Sequence, residues 1–304
     1  MAPTYGPVHA IVESVEDLSP NFRRIVFSGP DLNHLATEGP FYDQRIKLIF
    51  PAGDGRLPDL GDDPEWYQTW LALPDDERGL MRTYSIRELT RENDVTRLSV
   101  DFVLHLSPGG SGPAAEWAAG AEEGAELLII APRRGAESGG IEFNPGQAAE
   151  IVLLGDETAA PAIARILEDL REQDNPVRGT AYLEVPTTAD RLDIAGPDTM
   201  AVRWLPREGA DHGEELAAAL GWHCTEEAPA DDADAEDLVW ETPAYSATGE
   251  EIGPAAPVTG TYYWIAGESG VVKRLRRFLV REVGVDRNQV AFMGYWRQGV
   301  AMRG

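Results

Sequence analysis

Two spacings of apolar residues divide the chain. Up to about residue 135, apolar and polar positions alternate in short runs bounded by turn residues. His9–Val15 and Phe22–Phe27 alternate in this way on either side of the turn-forming Asp17-Leu18-Ser19-Pro20-Asn21. Gln44–Phe50 is a third run, stopped by Pro51-Ala52-Gly53-Asp54-Gly55. Met81–Arg87, Thr96–His105 and Leu127–Pro132 complete the set. Six strands separated by turns predict a small antiparallel barrel. Residues 54–80 are acidic and irregular, with Trp66, Tyr67 and Trp70 expected to anchor them by packing.

Beyond residue 145 the pattern changes. Glu150–Leu154 is a continuous apolar run, the signature of a strand buried on both faces. Gly155–Thr158 breaks it, and Ala159–Arg171 carries helical spacing through Ile163, Ile166 and Leu170. Gly179–Val185, Met200–Leu205, Thr261–Gly267 and Gln289–Tyr295 read as further strands, with helices at Glu214–Leu220 and Val271–Glu282. This alternation predicts a doubly wound α/β domain with a parallel sheet. The expected organisation is a six-stranded antiparallel β-barrel over 1–145, then the α/β domain over 146–304 with an acidic insertion at 222–257.

The 304 residues and 43 % hydrophobic content suffice for two cores. Asp and Glu number 52 against 26 Lys and Arg, a formal charge of −26. Such a surface disfavours nucleic acid and anionic membranes, so neither is expected as a partner. It also makes a basic residue inside a motif more informative, because an anion site in this field needs local cations. Cys224 is the only cysteine, which excludes disulfide frameworks and Cys-ligated zinc or iron–sulfur centres. With no basic-then-apolar leader and no run approaching ~20 apolar residues, the expectation is a soluble, cytoplasmic monomer. The insertion lacks the ligand spacing of a calcium loop, and no metal site is expected.

Three stretches and a set of cations are candidates for chemistry. Met81–Arg87 offers a guanidinium at Arg82, an aromatic face at Tyr84 and small polar groups at Thr83 and Ser85. A flavin needs such a set, although a plain barrel strand with an exposed Arg reads the same way in isolation. Gly109-Gly110-Ser111-Gly112-Pro113-Ala114 is a glycine-rich turn feeding a helix, suited to a diphosphate or simply a flexible turn. Gly155-Asp156-Glu157-Thr158 stands where a dinucleotide-binding turn would be glycine-rich. Two carboxylates there oppose a diphosphate, so helix capping by Asp156 is the favoured reading, with Thr158 left to reach a flavin. If a dinucleotide does bind, Glu184 suits a ribose hydroxyl and favours NADH over NADPH. Lys47, Arg133, Arg134 and Arg297 stand at strand edges as isolated cations. The five histidines show no metal spacing, and no nucleophile triad is recognisable.

In combination, these stretches resemble the siderophore-interacting protein family, flavin-dependent ferric-siderophore reductases of the ferredoxin–NADP reductase superfamily. The resemblance spans nearly the whole chain through Asp43–Leu48, Arg82–Arg87, Asp101–His105, Gly112–Ala118, Gly155–Ala159, Trp264–Glu268 and Gly294–Gly299. It implies FAD held mainly by the barrel. Arg82, Thr83, Tyr84 and Ser85 match the flavin motif, Asp101, Phe102, Val103 and His105 a strand along the cofactor, and Gly112, Pro113 and Ala114 the diphosphate turn. It implies a ferric siderophore received by Lys47, Arg134 and Arg297, with Arg133 the alternative to Arg134. Position 45 is Arg where the family pattern leads one to expect His, which implies an extra cation. The electron donor stays open between NADH, NADPH and reduced ferredoxin. A non-catalytic siderophore carrier and a general flavin reductase are the rival readings.

Overall fold

The computed structural model describes residues 5–61, 64–104, 112–135, 139–173, 177–222, 240–241 (backbone) and 258–299. The chain divides into two units between Ile141 and Glu142. Among the described residues the first unit holds one antiparallel sheet of seven strands, β1 (Tyr5–Ser19), β2 (Phe22–Ser28), β3 (Arg45–Phe50), β4 (Leu80–Ser85), β5 (Glu88–Glu92), β6 (Val95–Val103) and β7 (Glu126–Pro132). Their order is β4-β3-β7-β1-β2-β6-β5. β1 is twice as long as its alternation suggests, because its first half pairs with β7 and its second half with β2.

The edge strands β4 and β5 are separated by Ile86 and Arg87 alone. Ile86 N–H donates to the Gln44 carbonyl (3.0 Å) beside β3, and Arg87 N–H donates to the Ser99 carbonyl (2.9 Å) of β6. Two residues thus carry the chain from one edge strand of the sheet to the other, which curls the sheet toward a barrel. The strand at 81–87 therefore ends at Ser85. The seventh strand, β5, escaped the sequence reading because Glu88-Leu89-Thr90-Arg91-Glu92 buries only Leu89. Its signal was the two-residue hairpin Asn93-Asp94, both residues in the left-handed region (φ 49° and 63°). Inside the barrel Phe27, Leu48, Leu98, Phe102 and Ile129 are fully buried. On the outer face helix α1 (Trp66–Ala72) sets Trp66 and Trp70 over Ile49, Met81, Leu128 and Ile130. Tyr67, expected to anchor with them, is 45 % exposed. Helix α2 (Pro113–Gly120) packs Ala114 and Ala118 against the barrel core.

The second unit is built on β8 (Glu150–Gly155), β9 (Arg178–Val185), β10 (Met200–Pro206), β11 (Trp240–Glu241), β12 (Thr261–Glu268) and β13 (Val290–Trp296), in the order β10-β9-β8-β12-β13-β11. All pairings are parallel except β11 with β13. Helices α3 (Ala160–Glu172), α4 (Glu214–Ala219) and α5 (Ser269–Arg277) connect and cover them. α5 is shorter than its periodicity predicts and widens into a π-helical stretch at Phe278–Val283. Gly155 allows the strand-to-helix turn, since a Cβ there would lie 2.5 Å from the Ala159 Cβ. Among the described residues no helix is long and apolar enough to cross a membrane. The expected insertion at 222–257 lies outside the described residues apart from Trp222 and the backbone of β11.

Candidate functional site

On β4, side chains alternate between two faces with different surroundings. Leu80 and Tyr84 pack against the barrel core, while Met81 joins the outer cluster under α1. Arg82 shares the face of Tyr84, and Thr83 and Ser85 share the other. Tyr84 is flanked by Phe102 (centroids 4.7 Å apart) and Phe50 (6.4 Å), and these lead on to Trp117 of α2. Burial pushes the Tyr84 hydroxyl pKa up, so the group stays neutral. Arg82 is half-buried, donates from Nη1 to the Met81 carbonyl (2.7 Å), and has its pKa lowered by burial. A guanidinium held partly out of water favours an anionic neighbour.

α2 begins at Gly112, which lacks a side-chain cap, and Pro113 opens its first turn. Among the described residues, a Cβ at Gly112 would meet nothing within 4 Å. A helix start without a side-chain cap among the described residues suits a phosphate oxygen. His105 and Gly109-Gly110-Ser111, the strand end and glycine turn singled out by sequence, lie outside the described residues.

Along β6 the structure changes the roles of two predicted residues. Asp101 is buried, and its carboxylate accepts from Arg24 Nε (2.6 Å) and Nη2 (2.8 Å) and pairs with Arg87 Nε (3.4 Å). Phe102 has no exposed surface. Neither side chain is placed to touch a ligand: Asp101 ties β2 and the β4–β5 crossing to β6, and Phe102 supports Tyr84 from below. Val103 is half-buried at the end of the strand. Arg24 and Arg87, which hold Asp101, were missed because their partner lies 77 and 14 positions away.

The predicted substrate cations belong to separate units. In the first, Lys47 is exposed and donates to Thr83 Oγ1 (3.3 Å). Burial of its ammonium by the surrounding protein, then the Arg45 charge, lower its pKa. Arg134 is exposed, with its backbone N–H on the His34 carbonyl (2.9 Å). Arg133 is half-buried and donates from Nη2 to the Pro7 carbonyl (3.1 Å), which leaves Arg134 the outward-facing member of the pair. In the second unit, half-buried Arg297 follows β13.

The turn after β8 is filled by the protein's own groups. Asp156 is buried, and Oδ1 accepts from the Thr158 N–H (2.8 Å) and hydroxyl (2.5 Å). Oδ2 accepts from Glu268 N–H (2.7 Å) and Trp296 Nε1 (2.8 Å). Burial and the neighbouring Glu157 raise its pKa, against the pull of these donors. Asp156 is therefore a tie between β8, β12 and β13 rather than the cap of α3, whose N-cap is Ala159. Gly267 (φ 142°) makes room, since a Cβ there would stand 2.5 Å from Oδ2. Thr158 spends its hydroxyl proton on Asp156. Arg207 grips Glu157 through Nη1 (2.6 Å) and Nη2 (2.9 Å) and reaches Glu184 (3.3 Å). Glu184 also accepts from Gly213 N–H (2.9 Å) and Leu216 N–H (3.3 Å) at the start of α4. With no exposed surface, Glu184 does not serve as a ribose ligand, and the preference for NADH drawn from it falls. Sequence reasoning passed over Arg207; the signal available was that three carboxylates at strand ends require a cation.

A curled antiparallel barrel bearing this strand, followed by a doubly wound parallel domain, defines the class of flavin-dependent oxidoreductases with the ferredoxin-reductase fold. Residues 11–136 match the siderophore-interacting FAD-binding domain, and residues 148–299 match the siderophore-interacting protein domain. The chain belongs to the siderophore-interacting protein family, and its cofactor is FAD. It is 28 % identical to the ferric vibriobactin reductase ViuB of Vibrio cholerae over 93 % of this chain and 86 % of that one. It is 27 % identical to an NADPH-dependent ferric-chelate reductase of Escherichia coli, over 93 % and 89 %. The crystal structure of the siderophore-interacting protein SipS from Aeromonas hydrophila superposes with TM-score 0.67 at 26 % identity, covering 98 % of this chain and 94 % of that one.

Proposed function

We propose that this protein reduces ferric iron held by a siderophore to ferrous iron, releasing it in the cytoplasm. The observation that carries this reading is the pair Lys47 and Arg134. Both are exposed, and among the described residues neither is ion-paired, in a chain of net charge −26. Unpaired cations in so acidic a protein suit an anionic chelate. Arg297 is the proposed third contact.

The barrel residues fit FAD. Arg82 and the N–H groups at the start of α2 would neutralise its diphosphate, Tyr84 would offer a face to its ring, and Thr83 and Ser85 would serve its polar edge. Bound FAD supplies the conversion of two-electron donation into single-electron delivery. The chain's own part is to bind and orient. Lys47, Arg134 and Arg297 draw in the chelate, and the Phe50–Tyr84–Phe102–Trp117 cluster keeps water from beneath the flavin strand. Ferrous iron leaves because hard oxygen ligands hold the smaller, more highly charged ferric ion more tightly. ViuB and the E. coli reductase, named for this chemistry, support the reading. NADH, NADPH and reduced ferredoxin stay open as donors.

The test is anaerobic reoxidation of the photoreduced holoprotein by a ferric siderophore. Reoxidation at rates that saturate with chelate supports the proposal. A flavin that stays reduced overturns it and favours a carrier, and equal rates with simple ferric salts favour a general reductase.

A further inference from the structure

β12 and β13 run in step from the Tyr263–Val290 pair to the Gly267–Gly294 pair, and then the register slips. Glu268 pairs with Trp296, so β13 carries one extra residue, Tyr295. Successive side chains of a strand alternate faces, and one inserted residue reverses the faces on which those after it fall. The extra Tyr295 stands edge-on to the fully buried Trp264 (centroids 6.5 Å apart, 82°). Trp296 is turned to the end of β8, where its Nε1 donates to Asp156 Oδ2 (2.8 Å), and His212 packs edge-on against its ring (5.1 Å, 76°). Gln298 N–H donates to Glu268 Oε1 (3.3 Å), while Glu268 Oε2 accepts from Val271 N–H (2.8 Å) at the start of α5. Glu268 N–H in turn donates to Asp156 Oδ2 (2.7 Å). Two linked, buried carboxylates therefore hold residues 296 and 298, one on each side of Arg297.

Resting on the function proposed above, in which Arg297 meets the chelate, we infer that Asp156 and Glu268 are positioning residues for substrate capture. By holding Trp296 and Gln298 they fix the backbone from which the Arg297 guanidinium reaches. An arginine on a fixed backbone has less freedom left to lose when an anionic chelate binds, and that saving appears as affinity. The register slip supplies the aim: it sends the indole to Asp156 and leaves the next residue to the substrate.

The experiment follows reoxidation of the photoreduced holoprotein by a ferric tris-catecholate, reading the half-saturating chelate concentration and the limiting rate separately. Trp296→Phe keeps an aromatic ring and removes the N–H that Asp156 accepts. It raises the half-saturating concentration about three- to tenfold, the size of one side chain's ordering, with a smaller change in limiting rate. Glu268→Gln acts from the other side of Arg297 with the indole in place. An amide oxygen serves only one of the Val271 and Gln298 N–H groups, so the same change follows at smaller size. Arg297→Gln raises the half-saturating concentration by itself, and neither variant adds to it in that background. A merely structural role would lower stability and leave this non-additivity absent. Half-saturation unchanged in both variants overturns the inference, as do effects that multiply with that of Arg297→Gln. Arg297→Gln without effect overturns the substrate assignment of Arg297 instead, and the positioning role with it.

Discussion

Arg207 and Lys47 are cations in the same acidic chain, and their surroundings assign them opposite tasks. The side chain of Arg207 lies between two fully buried glutamates at the ends of β8 and β9 and pairs with both. Lys47 stands exposed on β3, where its ammonium donates to a threonine hydroxyl and lies near the Arg45 charge. Burial alone would lower the Arg207 pKa, but hydrogen bonds and charge pairing with Glu157 and Glu184 raise it. At Lys47 burial, then the Arg45 charge, lower the pKa, and among the described residues no ion pair offsets them. A cation whose pKa is raised by internal carboxylates belongs to the structure. One without an internal carboxylate, like Lys47, fits the proposed role of receiving an anionic chelate. The comparison also reassigns the turn after β8, where carboxylates that looked ready to repel a dinucleotide are engaged in holding strands together.

The comparison breaks most severely at Arg207. Arg207→Met leaves Glu157 and Glu184 buried without a counter-charge, and removing one partner of a buried pair costs about 3–5 kcal/mol. Denaturant unfolding should show this loss in the transition of the second unit. Replacing Glu157 and Glu184 by Gln in the same protein should recover part of it, because neutral side chains no longer need the cation. Unchanged stability in the single variant would mean that the cluster is open to water.

A smaller effect belongs to Asp101 in the barrel. Asp101→Asn removes one acceptor and turns an amide N–H₂ toward Arg24 and Arg87. Hydrogen bonds to charged groups contribute about 1.5–3 kcal/mol, and a loss of that size is expected in the first unit. FAD retention should fall only as far as stability does. If FAD affinity dropped with stability unchanged, Asp101 would be a ligand after all.

These two residues also show what the sequence could convey. Alternation in Phe22–Phe27 and the apolar run Ile151–Leu154 exposed the barrel strands and the parallel core, because burial acts on neighbours in sequence. β5 stayed hidden, since a polar edge strand with one buried leucine has no apolar pattern to read. The Arg207–Glu157 and Arg24–Asp101 pairs join positions 50 and 77 residues apart. No local spacing encodes them, so Asp101 read as a ligand and Asp156 as a cap. At the candidate site, Arg82 and Tyr84 were legible as residue types and the two faces of their strand as a period of two, but the pairing of β4 with β3 became visible only in the structure.

Lys47→Gln should be nearly silent in stability, since substitutions at exposed positions usually stay within about 0.5 kcal/mol. Its effect should fall on substrate. KM for an anionic ferric chelate should rise about three- to tenfold, with a smaller change in the rate of the bound complex. A loss of stability without a change in KM would place Lys47 in the same structural class as Arg207.

The finest test uses pH. Lys47 draws in an anionic chelate only while protonated, and its pKa lies below the ordinary lysine value of about 10.4. Attraction is complete below the lowered pKa and disappears as pH rises through it. KM should therefore begin to climb at a lower pH than an ordinary lysine would allow. Lys47→Arg keeps its charge throughout that range, because a guanidinium does not deprotonate there. The variant should lose the alkaline rise in KM while retaining tight binding near neutrality. If wild type and Lys47→Arg show the same alkaline limb, another group titrates, and the lowered pKa of Lys47 reports local crowding without a role in substrate capture.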